Sequence, residues 1–219
     1  MPSSTVENYL RHIYLALTGN PAMRLSMGQL ASLMNVVPGT ATAMVKTLAE
    51  AGLVDYEPYA GVTLTKQGEV LAIHMVRRHR LLELFLVEVL ALDWNQVHEE
   101  ADQLEHAVSD RIIERIDQML GYPELDPHGD PIPKPGGQLG SPPGTHLTQY
   151  AAGTTVTLVR VADQNPEFLT FLRENKLSPQ SQLTVIEHDS GAGTLRLWVG
   201  EQEVTLSREV ASKLLVAPG

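Results

Sequence analysis

LSMGQLASLMNVVPGTATAMVKTLAEAGLV, residues 25–54, reads as two helices joined by a tight turn. The first is predicted from Met27 to Met34 and the turn from Asn35 to Val37. The second runs from Pro38 or Gly39 to Ala51, with Gly52 closing it. Proline suits the first position of a helix, where its missing N–H would be unsatisfied anyway. A short helix, a tight turn and a second helix opening on small and hydroxylated residues form the helix-turn-helix pattern, whose second helix lies in the major groove. Gly39, Thr40, Thr42 and Ala43 sit at the end expected to face the bases, and Lys46 one turn further on is expected to contact a phosphate.

Working outward, Leu53–Glu57 and Val62–Thr65 are strand-like and flank a Pro58–Gly61 turn, which turns the motif into a winged helix. Thr65 is placed to cap the following helix, Gln67 to Arg78, with Lys66 and Arg77 as further phosphate contacts. Upstream, Tyr9, Leu10, Ile13, Tyr14 and Leu17 form the stripe of an amphipathic helix that Ser4 or Thr5 can cap. The competing reading is a small helical domain with an incidental hairpin.

Downstream, ligand-type side chains recur at helical spacing. His79 and Glu83 are four apart, as are His98 and Asp102, and Glu105 and His106 follow. Residues three or four apart share a helix face, so such groups can converge on one ion. A solvated polar face is the alternative. The Leu81–Leu90 run breaks at Ala91–Trp94, and a helix from Gln96 to Leu120 carries Val97, Ala101, Leu104, Val108, Ile112, Ile116 and Leu120 as an apolar stripe. Leu82, Phe85, Leu86, Val89 and Trp94 are candidates for a homodimer surface, with an intrachain core as the alternative.

With 219 residues and no Cys, the chain has room for two domains, and any metal must be held by imidazole nitrogen and oxygen. A net charge of −10 argues against indiscriminate polyanion binding, which draws on Lys and Arg, but leaves room for a local basic face. The start lacks the basic and apolar regions of a secretory signal, and no apolar run is long enough to span a bilayer, so a cytoplasmic location away from membranes is expected. Residues 122–146 are dense in Pro and Gly and read as a tether, in which His128 is expected to be solvent-exposed and not a ligand. After it, TTVTLVRVA, QLTVIEHD, TLRLWVGE and QEVTLSREVA alternate with a period of two, with a helix over Pro166–Asn175 and a short one near the end, which suggests an SH3-like barrel.

Together, VENYLRHIY, GLVDYEPYAGVTLTKQG, RRHRLLELFL, VHEEADQLEHAVSD and GDPIPKPG resemble the metal-dependent repressors of the diphtheria-toxin-repressor and manganese-transport-regulator type over nearly the whole chain. The resemblance implies a mainly α protein with a small β part. A winged helix-turn-helix would occupy residues 1–73, a helical metal-binding and dimerisation domain 74–121, the tether 122–146, and an SH3-like, FeoA-type domain 147–219. It implies two metal sites. An ancillary site would take His79, Glu83 and His98; a regulatory site would take Asp102, Glu105 and His106, with a ligand from the first helix, here Asn8. Asp102 stands where iron-type members place a Cys, which moves Mn²⁺ ahead of Fe²⁺. Asn8 replaces a Met or Asp, and Arg11 replaces a second acidic ligand, which disfavours a closely bridged ion pair of the manganese-type kind. Asp163, Gln164 and Glu167 lie near the turn from which some members' SH3-like domains donate further ligands. The partners implied are a palindromic DNA operator and a second copy of the chain.

Two other classes stay open at this point. A di-iron carboxylate enzyme would need Glu-x-x-His on two helices, whereas here Glu105 adjoins His106 with no second copy. A metal-independent winged-helix regulator would bind DNA equally with and without a chelator.

Overall fold

The computed structural model describes residues 3–20, 22–137 and 139–219. They form two compact units, residues 1–78 with 133–139, and 79–132 with 140–219.

In the first unit, α1 (Ser4–Leu17) is capped by Ser3, one residue before the expected Ser4 or Thr5, the Ser3 hydroxyl accepting the Val6 N–H. α2 (Met27–Leu33) opens on a capping box between Ser26 and Gln29. Asn35 takes a left-handed conformation, φ 51°, that reverses the chain into α3 (Pro38–Glu50), with Pro38 at its first position. The wing follows as β1 (Val54–Glu57) paired antiparallel with β2 (Gly61–Leu64), and Leu25 bridges Val62 on the other side. Leu10, Ile13, Leu30, Val45, Leu48 and Val62 pack as one core, so the apolar stripes of all three helices turn inward together. Thr65 caps α4 (Lys66–Glu88) as expected, accepting the Gly68 N–H at 3.2 Å.

α4 is one helix of 23 residues that leads into the second unit. The long helix expected to follow is instead two, α5 (Val97–Leu104) and α6 (Asp110–Met119). Glu105 caps the first and Ser109 starts the second. The break shifts the apolar stripe by a residue. Ile113 is buried where Ile112 was expected, and Ile112 is exposed.

The C-terminal part forms one antiparallel sheet in the order β3-β8-β4-β5-β6-β7. These strands are β3 (Thr145–His146), β4 (Thr155–Val161), β5 (Gln182–Asp189), β6 (Thr194–Val199), β7 (Gln202–Ser207) and β8 (Leu214–Pro218). α7 (Pro166–Glu174) crosses between β4 and β5, and α8 (Arg208–Ser212) precedes β8. Alternate residues such as Val156, Leu158, Leu183, Val185, Leu195 and Leu197 face its core, as the period-two pattern requires.

The stretch read as a solvated tether is ordered against this sheet in its first half. The Ile132 N–H donates to the Glu124 carbonyl, and the Val161 N–H on β4 donates to the His128 carbonyl at 2.9 Å. Gly129 makes this approach possible. Its φ is +86°, and a Cβ there would lie 2.0 Å from the Val159 carbonyl oxygen. His128 is therefore fully buried, contrary to the expectation of an exposed residue, because the loop is pinned by backbone hydrogen bonds that proline and glycine content does not reveal.

No helix among the described residues is long and apolar enough to cross a membrane.

Candidate metal centre

α4 presents His79 and Glu83 one turn apart, and α5 brings His98 and Asp102 against them. His79 Nε2 lies 3.0 Å from Glu83 Oε1, and His98 Nδ1 lies 3.0 Å from both. His79 Nδ1 faces the other way, 2.7 Å from Glu105 Oε2 and 3.3 Å from Asp102 Oδ1. His106 Nε2 lies 3.5 Å from Glu105 Oε1. His79, Glu83 and Glu105 are buried, whereas the His98 and Asp102 side chains are 35% and 39% exposed.

A second flank of Glu83 was missed in the sequence. Asp126 and His128, from the pinned loop, stand behind it, with His128 Nδ1 3.7 Å from Glu83 Oε2. Among the described residues three groups of ligand-type side chains result, namely His79/Glu83/His98, His79/Asp102/Glu105 and Glu83/Asp126/His128. In the last, Glu83 Oε2, Asp126 Oδ2 and His128 Nδ1 are buried without a hydrogen-bond partner. Unpaired buried polar atoms are costly, so three around one point suit a cation. The signal for this flank was the DPHGD phrase, in which two acids bracket a His and a Gly within a Pro-rich run.

The loop holds these groups rigidly. Asp126 Oδ1 accepts the N–H groups of His128 and Asp130 at 2.8 and 2.9 Å. Asp130 in turn accepts from Arg160 Nε at 2.7 Å and from Gln164 Nε2 at 3.1 Å. Arg80 reaches both acids at 3.5 Å and donates to the Pro131 carbonyl. His128 Nε2–H donates to the Trp94 carbonyl at 3.1 Å, and the two rings pack at a tilt.

The charges are tightly linked. Burial alone would raise the Glu83 carboxyl, but the imidazoles of His79, His128 and His98 hold it well below the usual range. Asp126 goes the other way, pushed up to about 7 by burial and by the negative charges of Glu83 and Asp130. Burial opposes a proton on His128, yet Glu83, Asp126 and Asp130 raise its pKa.

Asn8 lies half-buried on α1 in the first unit, its carbonyl accepting from His12 Nδ1. Asp163 pairs with Lys213 at 2.9 Å, Gln164 donates to Asp130, and Glu167 lies exposed at the start of α7. Neither Asp163 nor Glu167 belongs to a group of His, Asp and Glu side chains that could hold a metal among the described residues.

Gly39, Thr40, Ala43 and Lys46 lie exposed on α3, with Thr42 half-buried there, and Lys66 is exposed at the start of α4. Arg77, three turns along α4 from Lys66, donates to the Pro133 carbonyl at 2.7 Å.

The dimer candidates are corrected in part. Leu82 and Leu86 are buried in the chain's own core, and Phe85 packs against that core. Trp94 packs against the β-domain core, since the short α4–α5 connection carries it there. Only Val89 stays exposed, and Leu90, Leu92, Ile112 and Met119 are exposed apolar residues of the same unit.

A winged helix combined with buried carboxylate–imidazole clusters defines a class, the DNA-binding regulator whose activity is tied to a metal. Three family models match in succession: the iron dependent repressor N-terminal DNA binding domain over residues 1–62, its metal binding and dimerisation domain over 65–134, and the FeoA domain over 145–218. The iron-dependent repressor IdeR of Mycobacterium tuberculosis is 31% identical over 227 residues, covering 97% of this chain and 96% of the relative. The transcriptional regulator MntR of Lysinibacillus sphaericus is 34% identical over 127 residues, 58% of this chain and 89% of its own. Among solved structures, a manganese-dependent transcriptional repressor in complex with manganese superposes with a TM-score of 0.86 at 39% identity, covering 98% of this chain and 100% of that one. ScaR with bound Cd²⁺ gives 0.82 at 33% identity over the full length of both.

The chain belongs to this family of metal-dependent DNA-binding repressors, which are not enzymes. It carries the family's DNA-binding, dimerisation and metal-binding domains.

Proposed function

We propose that this chain is a manganese-responsive repressor of metal-uptake and homeostasis genes that binds a palindromic operator as a homodimer. The observation that carries the metal is the oxygen-rich donor set around Glu83 and Glu105 in a chain without Cys. Carboxylates suit Mn²⁺, whereas a thiolate would favour softer ions. The manganese-bound relative supports the same reading.

Two centres per subunit are assigned. His79, Glu83 and His98, joined by Asp126 and His128, would hold one. Asp102, Glu105 and His106 would hold the other, with Asn8 completing it in the metal-bound state. When bound, the ion supplies positive charge that offsets the crowded carboxylates. The chain's part is to present them: α4 and α5 set the helix-borne ligands, and the Asp126–Asp130 loop fixes the rest. Recruitment of Asn8 to the Asp102 centre would set the spacing of two recognition helices over successive major-groove faces. Lys46 and Lys66 would contact phosphates, and Gly39, Thr40, Thr42 and Ala43 would face bases. Val89 and the exposed apolar residues around it would contribute to the dimer contact.

Mobility shift of operator DNA during titration of Mn²⁺, Fe²⁺ and Zn²⁺, followed by chelation, tests the proposal. Retardation that requires Mn²⁺ and reverses with chelator is expected. Binding unchanged by chelator would overturn it.

A further inference from the structure

The wing carries a strained residue at its tip. Tyr59, in the loop between β1 and β2, has φ 66°, a left-handed conformation that is unfavourable for a bulky side chain. Its side chain is fully exposed, so no packing within the chain offsets that cost. Backbone strain of this kind gathers where a residue is held for a ligand.

The rest of the wing holds this tip still. Leu25 and Val62 exchange both backbone hydrogen bonds at 2.9 Å, which braces β2 on the side away from β1. Gly61, φ +119°, permits that approach, since a Cβ there would lie 2.6 Å from the Leu25 carbonyl oxygen. Arg24 Nη1 donates to the Asp55 and Gly61 carbonyls, one on each strand, and Nη2 pairs with Glu57 at 3.7 Å.

Tyr56, Pro58 and Tyr59 of the wing line a cleft of about 500 Å³ together with Thr42 and Lys46 of α3. The two sides differ in charge. α3 offers the Lys46 ammonium, whereas residues 54–64 contain no Lys or Arg and two carboxylates, Asp55 and Glu57. Ion pairing to phosphate needs Lys or Arg, so this wing cannot hold a duplex by charge. It offers an aromatic face and a neutral hydroxyl, and tyrosine hydroxyls do donate to phosphate oxygens.

Resting on the reading that α3 faces the duplex, we infer that Tyr59 is a DNA-anchoring residue. The cleft takes one sugar-phosphate strand bordering the groove that α3 occupies. Lys46 neutralises a phosphate from the α3 side. From the wing, the Tyr59 hydroxyl donates to a phosphate oxygen and its ring packs on the adjoining deoxyribose. This contact is neutral, so it adds affinity without releasing counterions, unlike that of Lys46.

Fluorescence anisotropy across a salt series tests the anchor, with a duplex selected from a random-sequence pool by the metal-loaded wild-type chain. Selection with Mn²⁺ and Fe²⁺ in parallel keeps the duplex independent of the manganese reading. Tyr59→Phe should weaken binding about tenfold, as expected for one hydrogen bond to a charged group, and Tyr59→Gly should weaken it further. Both should keep the wild-type slope of log affinity against log salt. Lys46→Ala should instead make that slope shallower by about 0.9. Thermal unfolding separates anchoring from a structural role. Tyr59→Gly relieves the left-handed strain and removes no packed side chain, so its midpoint should equal or exceed that of the wild type while DNA affinity falls. Wild-type affinity in Tyr59→Gly overturns the anchor, as does an affinity loss matched by a lower midpoint. An altered slope in Tyr59→Phe overturns the neutral contact. An unchanged slope in Lys46→Ala overturns the placement of α3 instead.

Discussion

The two flanks of Glu83 are built by different means. On the helix flank, four-residue spacing on α4 and α5 aligns His79, Glu83, His98 and Asp102, and the outer members stay about a third exposed. On the loop flank, Asp126 and His128 have no periodicity. A web of backbone hydrogen bonds, a left-handed glycine and the Arg80–Asp130–Arg160 ion pairs place them at complete burial. A helix positions ligands as a by-product of its geometry. A loop must be held by contacts made for that end, so its ligands are more rigid and more vulnerable to changes elsewhere.

Glu83 is the residue both flanks share. Glu83→Ala leaves three imidazoles and Asp126 without their common carboxylate. Loss of an outer-sphere partner commonly costs 10–100-fold in metal affinity, so loss of this ligand should cost more than about 100-fold. Isothermal titration with Mn²⁺ reads this directly, and metal-dependent operator retardation should vanish with it.

Gly129→Ala attacks the loop flank alone. A methyl group meets the Val159 carbonyl, and the φ of +86° is unfavourable for any side chain. Strain and overpacking together should lower stability by about 2–4 kcal/mol in urea unfolding. Gly136→Ala is the matched control. Its φ is also positive, +65°, but nothing lies within 4 Å, so only the backbone cost remains, about 1 kcal/mol. Equal losses in the two variants would mean that the Val159 contact contributes nothing.

This contrast also explains what the sequence disclosed. The helix-turn-helix, the wing and the α4 ligands were legible because each rests on local rules: a proline at a helix start, a capping threonine, a four-residue repeat. The β domain showed itself by alternation. His128 and Asp126 were not legible as ligands because their burial depends on β4, some thirty residues further along the chain. Leu82 and Leu86 misled for the same reason. An apolar stripe shows that a face is covered, not whether the cover is α6 or a second chain. The contact between Arg77 and Pro133 was not legible either, because a guanidinium's partner depends on which carbonyl lies within reach, and Pro133 lies 56 residues away.

The flanks should also separate by pH in the metal-free protein. Asp126, near 7 when folded and 3.8 in a free carboxyl, stabilises the fold when protonated, and that contribution is lost as pH rises from about 4 to about 7. His128 acts in the same direction, since its raised pKa gives stability at low pH that is lost as pH climbs through it. Glu83 opposes them: its lowered pKa gives stability that is present above about 4.5 and lost only as pH falls toward its folded value. Thermal midpoints without metal should therefore fall between about pH 5 and about pH 8. With Mn²⁺ the trend should reverse, because metal displaces the protons on Asp126 and His128 and binds more tightly as pH rises. A metal-induced shift in midpoint that does not grow with pH would place the bound ion away from the loop flank.

The smallest expected effect comes from the surface pair that ties the helix flank to the β domain. Asp93, in the α4–α5 connection, accepts from Arg173 on α7 at 2.7 Å, with the two side chains 57% and 42% exposed. Pairs so exposed contribute about 0.2–1 kcal/mol, so Asp93→Ala should barely move the unfolding midpoint. The neighbouring Trp94 is held by packing and by its carbonyl's bond to His128, neither of which needs Asp93. Manganese affinity should thus be unchanged in Asp93→Ala. A loss of affinity in Asp93→Ala would show that the connection is held by its surface charge, and that the loop flank depends on the helix flank for its placement.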